Sequence, residues 1–328
     1  MNRVVPVLYV CTVSLWGCAG SSPIGGSIAV VRSEETTANR ELLVKVANEF
    51  YRTHPDRYDM LVLWGAPEFS PGSSFYLPVR NDVPGIGYEH LGPDSFDAGG
   101  DYGSTRLEGI IWLGPDWIHD AEGIGGPRSV LGILAHETGH RWGCLVHFED
   151  PKAGPSDALL GDGLHWSFYL ETGADPMGGN QWSSLDGSLY QAQPVDRAAF
   201  CPLNLYLMGL LPAESVPPLK LLVNVRDEND GPVGGISPYT RRVSSPLTVK
   251  ADMKEISVDQ IMATEGRRDP NVGFSAKRIR QAWVYVYRDF TSSSSFGEIK
   301  ALEALQHRWD TFFSEATGGL STMDSSSF

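Results

Sequence analysis

Between Leu134 and Phe148 the chain reads LAHETGHRWGCLVHF, and within it His136-Glu137-Thr138-Gly139-His140 sets two histidines four residues apart. No other feature constrains the fold as strongly. On a helix, residues i and i+4 lie on one face, one turn above the other. Both imidazoles can then reach a single zinc ion at about 2.0–2.1 Å. Glu137 sits beside them at an angle suited to a water at the metal, where a carboxylate can take a proton and later deliver it. Val130, Leu131, Leu134 and Ala135 supply the side of the helix to be buried. Pro127 after Gly125-Gly126 suits a first turn, and Gly143 suits a terminator, so the spacing predicts a helix over 127–143.

The surroundings point to an exported protein. Arg3 precedes an apolar run from Val4 to Trp16, too short to span a bilayer and shaped like a signal-peptide core. Leu15-Trp16-Gly17-Cys18 resembles a bacterial lipobox, which implies cleavage before Cys18 and a lipid on that cysteine. Residues 1–17 are then signal, and 18–36 a polar tether to the cell envelope, facing the periplasm or the exterior. The formal net charge of -14 argues against nucleic acid or an anionic membrane surface as a partner. Contact with the membrane is expected only through the lipid, and the protein is expected to be a monomer. In an oxidising compartment Cys144 and Cys201 read as a disulfide, with two buried small hydrophobes as the alternative.

Along the chain, TANRELLVKVANEFYRTHPD carries a helical stripe of Leu42, Leu43, Val46, Phe50 and Tyr51. YDMLVLWG, SSFYLPVRN and RLEGIIWLG are strand candidates, and RLEGIIWLG is a candidate edge strand for pairing with an extended substrate. Residues 149–200 look loop-rich, and CPLNLYLMGL reads as a short helix. After a boundary near Pro217, LKLLVNV, SPLTVKAD and RQAWVYVYRDF are strand-like. A long amphipathic helix follows, with Ile299, Leu302, Leu305, Trp309 and Phe312 or Phe313 inward. The expected organisation is a domain over 37–216, a strand and helix region over 217–317 and a frayed tail over 318–328.

The motif helix resembles that of the zincin superfamily of metallopeptidases, and HETGHRWG is similar to the start of the metzincin signature. That signature places a third histidine six residues after the second, where this chain has Val146, with His147 one further on. No downstream Asn-Glu-x-x-Ser-Asp helix offers a glutamate ligand. His147 and His165 therefore compete for the third place, with Asp150 or Asp162 as a carboxylate alternative. LLGDGLHWSFYLETGADPMGGN and CPLNLYLMGL resemble segments of exported bacterial zincin-like proteins in which His-Trp-Ser follows the motif helix. That resemblance implies His136, His140 and His165 as the zinc ligands and Glu137 as the catalytic base. It also implies an α+β zincin-like fold and a zinc endopeptidase acting on protein or peptide. Metzincins place a methionine turn beneath the metal, which points to Met177, with Met208 as a rival. Tyr206, Tyr190 and Arg141 are candidates to stabilise an oxyanion.

Other signals are weaker. RDENDGPVGG over 226–235 lacks the twelfth-position glutamate of a calcium loop and reads as a turn. His54, His90, His119 and His307 read as surface or core histidines. Two rival functions stay open: a binding or adhesion lipoprotein on the same fold, and a zinc hydrolase of a non-peptide amide.

Overall fold

A strand from near the C-terminus lies inside the principal sheet, between two strands from the N-terminal part of the chain. In the computed structural model the described residues are 27–70, 72–119, 129–173, 175–194, 199–240, 243, 245–290 and 292–326. The expected signal segment, Cys18 and Gly125 to Pro127 lie outside them. The first half of the chain forms β1 (Ile28–Arg32), α1 (Arg40–Thr53), β2 (Met60–Gly65), β3 (Phe75–Pro78), β4 (Arg80–Asn81), β5 (Phe96–Asp97), β6 (Gly109–Leu113) and α2 (Val130–Gly139). Six short strands follow: β7 (Phe148–Asp150), β8 (Gly154–Ser156), β9 (Trp166–Glu171), β10 (Gly178–Asn180), β11 (Trp182–Asp186) and β12 (Leu189–Ala192). The remainder is α3 (Pro202–Leu207), β13 (Leu219–Arg226), β14 (Leu247–Ile256), α4 (Val258–Glu265), β15 (Arg278–Tyr287), α5 (Ser292–Ala316) and β16 (Thr322–Asp324). The fold is mixed α+β.

The principal sheet runs β1-β15-β2-β6-β3, with β16 beside the start of β15. The first four strands are parallel and β3 is antiparallel. β2 and β6 are buried along their whole length, as continuous apolar runs covered on both faces should be. β15 follows the same rule: Ala282 to Val286 are all buried, so its apolar and aromatic faces both pack inward.

This topology corrects four expectations. Ile28 to Val31, read as tether, are buried in β1 against β15. The boundary at Pro217 does not divide the core, because β15 lies between β1 and β2 and one apolar cluster runs from Ile28 to Met323. RLEGIIWLG is a central strand, and β3 takes the edge, because β6 has neighbours on both sides. Part of the expected frayed tail is ordered as β16, in parallel register with Arg278 to Arg280.

Helix α1 starts at Asn39, whose side chain accepts from the Leu42 N–H at 2.9 Å. Its predicted stripe is buried through Phe50, with Tyr51 partly so. Helix α5 buries Ile299, Leu302, Leu305, Trp309 and Phe313, while Phe312 stays at the margin. Helix α2 packs on β6 and β3 and against α5.

A second sheet, β10-β9-β13-β14-β12-β11, closes over a small core around Phe168, Trp182, Leu222 and Val249. It draws on the stretch expected to be loop-rich. Its significance for the site is positional, since β9 begins immediately after His165 and β10 immediately after Met177.

Candidate metal centre

Ser129 caps α2 by accepting from the Gly132 N–H at 3.1 Å. The helix ends at Gly139 with His140 as its C-cap, earlier than predicted, yet the coil continues through the Gly143 N–H to Gly139 carbonyl bond at 2.9 Å. The two motif histidines therefore keep helical spacing. Thr138 points the other way, into the core, and accepts from Gln281 Nε2 on β15 at 3.3 Å. Trp309 Nε1 on α5 donates to Gln281 Oε1 at 2.9 Å. The motif helix is thus fixed by side chains from the last sixty residues of the chain.

His165 arrives from a turn built by Asp162. One carboxylate oxygen of Asp162 accepts from the Leu164 N–H at 3.1 Å, and Gly163 takes the positive φ the turn needs. Both Asp162 oxygens lie 2.8 Å from His165 Nδ1. His136 Nδ1 lies 2.8 Å from the Pro176 carbonyl oxygen. A carbonyl only accepts, so His136 carries its proton on Nδ1, and the Asp162 carboxylate imposes the same on His165. In each neutral ring Nε2 then carries the lone pair.

Those lone pairs converge. His136 Nε2 is 3.1 Å from His165 Nε2 and 3.2 Å from His140 Nε2. A tetrahedral zinc with 2.0–2.1 Å bonds has ligand atoms about 3.3 Å apart. Three ring nitrogens gathered this closely are spaced as the ligands of one cation are. The backing groups, a carboxylate behind His165 and a carbonyl behind His136, are the kind that orient metal-ligating imidazoles. The donor set fits zinc.

The structure also separates the sequence candidates. His165 joins His136 and His140, whereas His147 stacks on His90 with ring centroids 3.6 Å apart. Asp162 stands behind His165, and Asp150 pairs with Lys254. Glu137 is buried in α2 and lines the same cavity as His136 and His165.

Met177 is fully buried beneath the helix. A Cβ at Gly139 would collide with the Met177 sulfur and lie 3.1 Å from Phe200 Cε1. The glycine between the histidines is what lets the methionine lie there. Met208 is also buried but is not among the cavity residues.

The turn carrying Met177 hangs on Asp175, which sequence reasoning missed. Its carboxylate accepts from the N–H groups of Met177 at 2.7 Å and Cys201 at 2.6 Å, and from Asn204 Nδ2 at 2.7 Å. Burial pushes this carboxyl up to about 6 despite those donors. The only signal in the sequence was a short acidic residue before Pro176.

Three further expectations change. Cys144 and Cys201 are buried free thiols rather than a disulfide, with Cys144 directed at the Met177 carbonyl and Cys201 at Asp175. Arg141 is buried against Glu108 at 2.8 Å and Asn81 at 3.0 Å, which makes it a structural tie. Tyr206 accepts from the Arg268 N–H and Tyr190 lies in the small second core, so neither faces the cavity.

The cavity has a volume of about 750 Å³. It is lined by Ser73, Ser74 and Trp117, by α2 with His136 and Glu137, by Asp162 and His165, by Pro176 to Asn180 and by Pro238 to Thr240. Hydroxyl groups of Ser74, Tyr239 and Thr240 therefore share the cavity with the histidines. No family model, curated protein or solved structure matches this chain.

Proposed function

We propose that this chain is a zincin-like, zinc-dependent endopeptidase, held at the bacterial cell envelope by a lipid on Cys18 and acting outside the cytoplasm on protein or peptide. One observation carries the reading: the Nε2 atoms of His140 and His165 both lie within 3.2 Å of His136 Nε2, and His136 and His165 line one cavity with Glu137. Among the described residues no helix is long and apolar enough to cross a membrane.

His136, His140 and His165 would hold the ion. Zinc there supplies Lewis acidity for a substrate carbonyl and brings the pKa of water toward neutrality. The remaining work falls to the chain. Glu137 takes a proton from water in the cavity and returns it to the leaving amine. Pro176 and Asp162 keep His136 and His165 in the tautomer that leaves Nε2 available. Gly139 leaves the room in which the Met177 sulfur packs against α2. Ser73 and Ser74 line the cavity and lead directly into β3, the end strand of the sheet, whose edge would take an extended peptide.

The test is cleavage of a denatured protein mixture, with new termini read by mass spectrometry and zinc-loaded Glu137→Gln as control. Termini made by the wild type and absent from the control support the proposal. Identical mixtures from two zinc-loaded proteins contradict peptidase activity and turn the search to non-peptide amides.

A further inference from the structure

A second group of metal-binding side chains lies apart from the cavity. His90, His147 and Glu265 offer ligand atoms all within 4.8 Å of one another. His90 Nε2 is 3.0 and 3.1 Å from the two Glu265 oxygens. The Glu265 side chain is fully buried, and the backbone N–H of His147 donates to it. The His147 ring lies flat on that of His90, with planes 18° apart.

We infer that His90, His147 and Glu265 form a second divalent transition-metal site, distinct from the His136, His140 and His165 centre. Two imidazoles and a carboxylate are an N/O donor set suited to zinc. Burial, and then the neighbouring His90, push the His147 imidazole down. Burial pushes the Glu265 carboxyl up, against the hydrogen bonds from the His147 N–H and His90, and Glu89 lies beside it. A cation would be attracted by both carboxylates.

The placement suggests a structural task. His90 ends a short 3-10 turn, His147 lies just before β7, and Glu265 is the last residue of α4. A metal there would staple these three segments across the chain leaving the motif helix. The first two are already close, since a Cβ on Gly87 would lie 2.7 Å from the Leu145 backbone.

The test is zinc counting on the full chain after equilibrium dialysis against zinc, by elemental mass spectrometry. Wild type should hold two ions, His90→Ala one, His165→Ala one and the double variant none. Because His90 is partly exposed, His90→Ala should fold, and His90→Gln serves as a second variant checked by circular dichroism. If wild type and both His90 variants hold the same number, the second site is overturned and the cluster is an ion pair with a stacked histidine. If His165→Ala retains every ion while His90→Ala loses one, the inference stands and the reading of the first centre fails.

Discussion

His136 Nε2 and His165 Nε2 lie 3.1 Å apart, though twenty-eight residues separate them in the chain. The carboxylate that settles the His165 tautomer is Asp162. Asp162→Asn should weaken zinc binding at the His136 centre by about 10–100-fold. Asp150→Asn, at a residue paired with Lys254, should leave that affinity unchanged. Chelator competition on the two variants measures the difference.

Gly139 and Met177 are a matched pair. Gly139→Ala pushes a methyl group into the sulfur of Met177 and should destabilise the protein by about 1–3 kcal/mol. Shortening the methionine makes room, so Met177→Ala combined with Gly139→Ala should cost less than the sum of the two singles. Denaturant unfolding of the four proteins gives the coupling, and strict additivity would deny the contact.

Gln281 connects α2, β15 and α5 through Thr138 and Trp309. Gln281→Leu removes the partner of the buried Trp309 N–H and should cost about 1–3 kcal/mol. Because the bridge spans the Pro217 boundary, heating should unfold the wild type in a single transition by fluorescence and circular dichroism alike. Two separated transitions would mean that the C-terminal region folds on its own.

Asp175 makes stability depend on pH. Burial raises its folded-state value to about 6, from the ordinary 3.8. Between those values the folded chain holds more protons than the unfolded chain, so this group's contribution falls as pH rises through that window. The loss is on the order of 3 kcal/mol. Asp175→Asn lacks the titration, so the wild type should lose stability relative to the variant from pH 4 to 6 and run parallel to it above pH 7. A constant offset across that range would show that Asp175 stays ionised throughout.

Much of the fold was legible from local pattern. The i, i+4 histidines and the apolar run before them specified the helix, and the stripe from Leu42 to Phe50 specified α1. Long-range pairing was not legible, because strand order is set by contacts between residues hundreds apart. Nothing in RQAWVYVYRDF says that it pairs with both Met60–Gly65 and Ile28–Arg32, and RLEGIIWLG reads the same at an edge or a centre. At the site, the residue types for metal binding stood out, but the backing groups did not. The Pro176 carbonyl has no side chain to read, and Asp175 acts through three donors scattered from Met177 to Asn204. His147 had the shorter spacing to the motif, yet the chain after Gly143 carries it toward His90 and Glu265.

The most direct measurement is the position of zinc itself. Crystals of the zinc-loaded protein, measured on both sides of the zinc absorption edge, should give an anomalous peak within bonding distance of the Nε2 atoms of His136, His140 and His165. Absence of a peak among these three imidazoles, or a peak ligated by two of them with His165 turned away, would contradict the proposed centre.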